Sequence, residues 1–113
     1  MPRYVGQRVP TIAIGGELAD DVYVDVRDPG EYAAGHAPDA RSVPLDQLEA
    51  NRWTLPMNRR LVAMSRTGER GSDATIELRE MGFQAVNYDG GLEAWVAAGK
   101  TIVTESGGPG RLA

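Results

Sequence analysis

The sequence predicts a single α/β domain with a central parallel five-stranded sheet and helices on both faces. Three observations carry that expectation. Short β-branched runs alternate with stretches of helical periodicity, which is the pattern of a sheet covered on both sides. The best strand, Val22-Tyr23-Val24-Asp25-Val26, is nearly continuous in apolar character, as a strand buried on both faces should be. The chain has 113 residues, 42% of them hydrophobic and 25% charged, which suits one ordinary globular core.

The elements follow in order. Thr11 to Ile14 is a first short strand, ended by Gly15-Gly16. Val22 to Val26 is the second. Asp28-Pro29-Gly30-Glu31 then reads as a helix start, with Asp28 as N-cap, Pro29 as first helical residue and Glu31 as capping-box partner. That helix stops at Gly35. Ala40 to Val43 is a short strand. Asp46 and Glu49 repeat the capping-box spacing, so a helix is expected from Asp46 to Asn51. Leu61 to Met64 is a strong strand. A helix from Gly71 to Met81 carries Ala74 and Leu78 and ends at Gly82, a natural stop. Ala85 to Asn87 is a last strand. Asp89-Gly90-Gly91 leads into a helix with Leu92, Trp95 and Ala98 on one face, so Trp95 is a core residue. The domain is expected over residues 1–104. The glycine-rich stretch 105–113 reads as a loosely attached tail.

Composition narrows the function classes. Net charge is -4, which argues against a nucleic-acid surface or an anionic membrane as the main partner. No apolar stretch approaches a membrane span, and Met1 to Gly6 lacks the apolar segment of a signal peptide, so a cytoplasmic location is expected. The chain has no cysteine, which excludes thiolate metal sites and persulfide chemistry within it. His36 is its one histidine, so no multi-histidine metal site forms in one copy. No metal and no cofactor are expected.

The chemistry concentrates after Met64. Ser65-Arg66-Thr67-Gly68-Glu69-Arg70 leaves a strand and enters a helix. Such a loop aims several backbone N–H groups at one spot, and the helix dipole adds positive potential there. Arg66 and Arg70 strengthen that field. The cradle suits a small anion and would lower the pKa of a thiol at its first position, yet that position holds Ser65. A strand's carboxyl end is also where sheets of this kind bind ligands.

Four ordered segments resemble the rhodanese family, the sulfurtransferases and their relatives, over roughly Val22 to Lys100. Asp25-Val26-Arg27-Asp28-Pro29-Gly30-Glu31-Tyr32 looks like the family's first motif. Gly35-His36-Ala37-Pro38-Asp39-Ala40 is similar to its glycine-histidine-isoleucine-proline-glycine-alanine segment, departing at Ala37 and Asp39. Ser65 to Arg70 falls where the family has its cysteine-led loop, and Gly90-Gly91-Leu92-Glu93-Ala94-Trp95 resembles its closing motif. The resemblance implies a catalytic position at Ser65, an anion-binding loop from Arg66 to Arg70, and supporting roles for Asp25, Arg27 and His36. Four residues separate Ser65 from Arg70, which resembles the shorter loop of sulfurtransferases rather than the wider one of related phosphatases and arsenate reductases.

Three functions compete. The first is a catalytically silent domain that binds a sulfur oxyanion, such as thiosulfate or sulfate, or an unidentified protein. The second is a sulfurtransferase inactivated by a cysteine-to-serine change at position 65. The third is a hydrolase with Ser65 as nucleophile, which needs a neighbouring base: Glu69 turned inwards, or His36. Each site residue also has a plainer reading. Arg66 and Arg70 could be solvated charges paired with Glu69 or Asp73. Asp25 and Arg27 read best as an ion pair in a strand-to-helix turn, and His36 as a structural hydrogen-bonding group. Trp53, near Met57, marks either a contact surface or a satellite cluster.

Overall fold

The computed structural model describes residues 8–113. Met1 to Gly6 lie outside the described residues. Five strands form one all-parallel sheet: β1 (Thr11–Ile12), β2 (Val22–Asp25), β3 (Arg41–Ser42), β4 (Leu61–Met64) and β5 (Ala85–Tyr88). Their order across the sheet is β1-β5-β4-β2-β3. The helices are α1 (Pro29–Ala34), α2 (Glu69–Glu80) and α3 (Gly91–Ala97). Among the described residues, no helix is long and apolar enough to cross a membrane.

Alternation along β4 creates two cores. Leu61 and Ala63 join one, with Ala74 and Leu78 of α2, Leu48, Leu55 and Phe83. Val62 and Met64 face the other, with Leu92 and Trp95 of α3 and Tyr88. All four β4 residues are fully buried, which is why the strand reads as an unbroken apolar run.

Three elements differ from expectation, the first being β1, which ends at Ile12 rather than Ile14. The helix expected from Asp46 to Asn51 is a single 3-10 turn, Leu45–Gln47, with Gln47 N–H donating to Pro44 O at 2.8 Å. Leu45 and Leu48 both face the α2 core, and a three-residue repeat aligns them there. Helix α2 starts at Glu69, two residues before Gly71. Gly68, at φ +104°, turns the chain directly into it.

The segment after residue 104 is tied to the domain rather than loosely attached. Gly107, at φ +88°, makes a turn that brings the chain back beside Ile102 and Val103. Gly110 N–H donates to Ile102 O at 2.9 Å, and Arg111 N–H to Ala34 O at 2.8 Å. Leu112 packs on the α3 core. Its glycines therefore serve a turn and a close approach. A Cβ on Gly35 would lie 2.6 Å from Arg111 O and 2.9 Å from Ile102 Cδ1.

A second tie joins the β1–β2 connection to the chain after α3. Glu17 accepts hydrogen bonds from Lys100 Nζ at 2.8 Å and Gly15 N–H at 2.6 Å. Lys100 also sits 4.4 Å above the Trp95 ring. The Lys100 bond holds the Glu17 carboxyl far down, from the ordinary 4.5 to about 2.

Two outcomes are expected. Gly35→Ala should cost about 1–3 kcal/mol by overpacking, read from urea unfolding, and should speed exchange of the Arg111 amide. Glu17 is depressed in the folded state, so its contribution is present above pH 4.5 and is lost as pH falls towards 2. A carboxyl NMR titration should place its midpoint near 2, moving back towards 4.5 in Lys100→Met.

Candidate functional site

Ser65 follows β4 at the carboxyl edge of the sheet and is 1% exposed. Its Oγ accepts hydrogen bonds from Gly68 N–H and Gly71 N–H, each at 3.0 Å. The side chain therefore caps the turn into α2 from inside the loop. The N–H groups of Thr67, Glu69 and Arg70 have no hydrogen-bond partner among the described residues.

Helix α3 closes the loop from behind. Leu92 N–H donates to Ser65 O at 2.8 Å, and Glu93 N–H to Arg66 O at 3.0 Å. Gly91, at φ +60°, makes this approach possible, because a Cβ there would strike the Ser65 and Arg66 carbonyls. Beneath the loop, the Asn87 amide lies against Gly71, and a Cβ at 71 would strike its Oδ1. Asn87 Nδ2 donates to Ser72 Oγ at 3.1 Å, while Oδ1 is buried without a partner among the described residues.

Both loop arginines are paired, with carboxylates the sequence did not suggest. Arg70 makes a two-pronged contact with Glu31 of α1, at 2.8 and 3.2 Å. That bond holds the Glu31 carboxyl below its ordinary value. Arg66 reaches Glu93 of α3 at 3.0 Å, but both side chains are about half exposed, so the pair contributes little. Glu69 is exposed and does not turn into the loop.

Asp25 and Arg27 are both 0% exposed. Arg27 Nη2 donates to Asp25 Oδ2 at 2.8 Å and to Gly35 O at 2.7 Å, and Arg27 Nε to Asp25 Oδ1 at 3.0 Å. His36 stacks on Tyr32 at 3.7 Å, and its Nδ1 lies 2.7 Å from Tyr32 O, so that nitrogen donates. Its backbone bridges Val103 in both directions. These contacts make His36 a fastening between α1 and the chain after α3. Among the described residues, no cluster of His, Cys, Asp and Glu is placed to hold a metal.

A family model for the rhodanese-like domain matches residues 14–98. This chain belongs to the rhodanese-like domain family. A protein of Allochromatium vinosum named a sulfurtransferase is 34% identical over 92 residues, covering 80% of this chain and 86% of its own length. An uncharacterized protein of Synechocystis is 32% identical over 78% of this chain, which spans half of that longer protein. The crystal structure of a rhodanese-related protein from Thermoplasma volcanium shares the fold, with a TM-score of 0.78. It is 22% identical, and the likeness covers 85% of this chain and 99% of that one.

The rhodanese-like loop is thus held by residues that no local pattern named. In sequence, Asn87 is a plain strand residue and Glu31 a capping partner alone. It does accept Asp28 N–H at 3.2 Å, but its carboxylate also serves Arg70. Gly91 was the legible signal, since paired glycines before a helix imply a close approach.

Asp25→Ala should destabilise the domain by about 3–5 kcal/mol, because it strands the buried Arg27 guanidinium. Urea unfolding measures this. Replacing both residues with apolar side chains of similar volume should cost less than the single change.

Proposed function

We propose that this rhodanese-like domain is catalytically silent, keeps its loop as a weak anion cradle, and acts through binding. The observation that carries the reading is Ser65, a buried hydroxyl whose oxygen takes two loop N–H groups at 3.0 Å. We place it where active relatives carry the thiol. In such relatives a thiolate takes the outer sulfur of thiosulfate, the sulfur–sulfur bond breaks, and sulfite leaves with the bonding pair. The product is a persulfide, which an oxygen cannot form. Nor is Ser65 equipped for hydrolysis. The hydrogen bonds of Ser65 Oγ come from Gly68 and Gly71 N–H, while His36 is engaged with Tyr32 and Val103 and Glu69 faces solvent, so neither candidate base is paired with the hydroxyl as a serine nucleophile needs.

The anion reading rests on the unpaired N–H groups at the amino end of α2. Glu31 and Glu93 oppose it by neutralising the two arginines. Affinity should therefore be millimolar, about 4 kcal/mol. The reading of an inactivated sulfurtransferase is favoured by one observation: Gly71 and Gly91 still give the loop its close contacts. The codon at position 65 of the natural gene separates the two.

Three measurements test this. No sulfur transfer from thiosulfate to cyanide should occur above the level of a loop-deleted control. Ser65→Cys should give a thiol titrating below the ordinary ~8.5, since Gly68 and Gly71 N–H groups would meet a thiolate. An unperturbed thiol would overturn the cradle. Titration with sulfate or thiosulfate should move the Thr67, Gly68 and Arg70 amides at tens of millimolar. Unmoved amides would leave protein binding as the sole function.

A further inference from the structure

The segment after α3 builds a pocket of its own. Residues 99–113 lie beyond the part of the chain that the family model matches. They fold back as a strap, in which Val103 bridges His36 on one side and Pro109 on the other. Gly110 N–H donates to Ile102 O and Arg111 N–H to Ala34 O. A Cβ on Gly110 would lie 2.8 Å from Gly35 Cα, so the strap packs here without a side chain. Between strap and α3 opens a cavity of about 380 Å³, within the roughly 300–1,000 Å³ of most small-molecule sites. Val96 of α3 lines it with Ile102, Pro109 and Leu112 of the strap. Leu92 and Trp95 on the same helix are buried, whereas Val96 is 41% exposed, an apolar side chain left for this opening.

The charges in the lining indicate what fits. They are two cations, Lys100 and Arg111, and no carboxylate. Lys100 is already engaged, since its Nζ donates to Glu17 at 2.8 Å and sits 4.4 Å above the Trp95 ring. Arg111 is exposed, and its guanidinium has no partner among the described residues. The carboxylates of the neighbouring segments stand outside the lining. Glu93 pairs with Arg66, and Glu105 is exposed at the strap's turn, where its charge is felt by Tyr32 of α1. The pocket thus joins an apolar wall to one available guanidinium.

We propose that this pocket binds a small amphiphilic carboxylate, with its apolar chain between the strap and α3 and its carboxylate on Arg111. The guanidinium fork matches the two carboxylate oxygens. A bare ion gains nothing from the apolar wall, and a neutral chain gains nothing from the fork. The net charge of -4 opposes an anion at long range, but physiological salt screens charges beyond about 8 Å. The site does not depend on the anion cradle and stands whether or not that loop takes a ligand.

The test titrates the full chain with three probes while amide NMR shifts are followed. Octanoate carries both features, acetate the charge without the chain, and octanamide the chain without the charge. Octanoate should move the Val96, Ile102, Gly110 and Leu112 amides and leave Thr67, Gly68 and Arg70 in place. Acetate should move none of the first four at the same concentration, and octanamide should bind severalfold more weakly. Arg111→Gln keeps the backbone N–H that bonds Ala34 O, so it should lower octanoate affinity to that of octanamide without moving the unfolding midpoint. Val96→Ser, a change at an exposed position, should weaken both ligands. Equal binding of octanoate and octanamide, unchanged affinity in Arg111→Gln, shifts confined to the loop from Thr67 to Arg70, or no binding of octanoate would each overturn the proposal.

Discussion

The buried pair between Asp25 and Arg27 is the constraint on which the site end of the domain depends. Both side chains are fully removed from water, and the guanidinium also holds the Gly35 carbonyl. An ion pair in such surroundings gains little net stability, yet it tolerates only one arrangement of its neighbours. That arrangement fixes the turn from β2 into α1 and the point where α1 ends. From there the ties spread outward. Glu31 of α1 holds Arg70 at the start of α2, and His36 bridges Val103 after α3. The missing Cβ of Gly35 lets Arg111 pass close enough to bond Ala34 O. One buried pair thus sets the geometry of the Ser65–Arg70 loop's flank and of the chain's last segment.

The fold was legible because its signals are local. An unbroken apolar run at Leu61 to Met64 reports burial on both faces, and Asp28-Pro29 reports a helix start. Partners were not legible, because they are remote in sequence. Arg70 meets Glu31 across 39 residues and Arg66 meets Glu93 across 27, while Glu69 and Asp73 were only the nearest candidates along the chain. The helix expected at Asp46 failed for a related reason. Capping-box spacing describes how a helix could begin, whereas Leu45 and Leu48 seeking one core decide how far the turn extends. In the last segment, glycine content alone could not separate a mobile tail from a turn requiring φ > 0.

The position of Ser65 explains how the loop keeps its shape with a hydroxyl in it. Two N–H groups at the start of α2 point inward and need an acceptor, because a helix cannot satisfy its own first donors. The serine oxygen supplies that acceptor at 3.0 Å to each. A thiolate there would accept the same two bonds while carrying a full charge, and the helix dipole would favour the charged form. The donors that hold the fold are therefore the donors that would activate a nucleophile. An oxygen at this position fills the structural half of that arrangement. The serine satisfies the two inward donors and leaves the N–H groups of Thr67, Glu69 and Arg70 facing outward, so the shape of the loop does not depend on whether its first residue carries oxygen or sulfur.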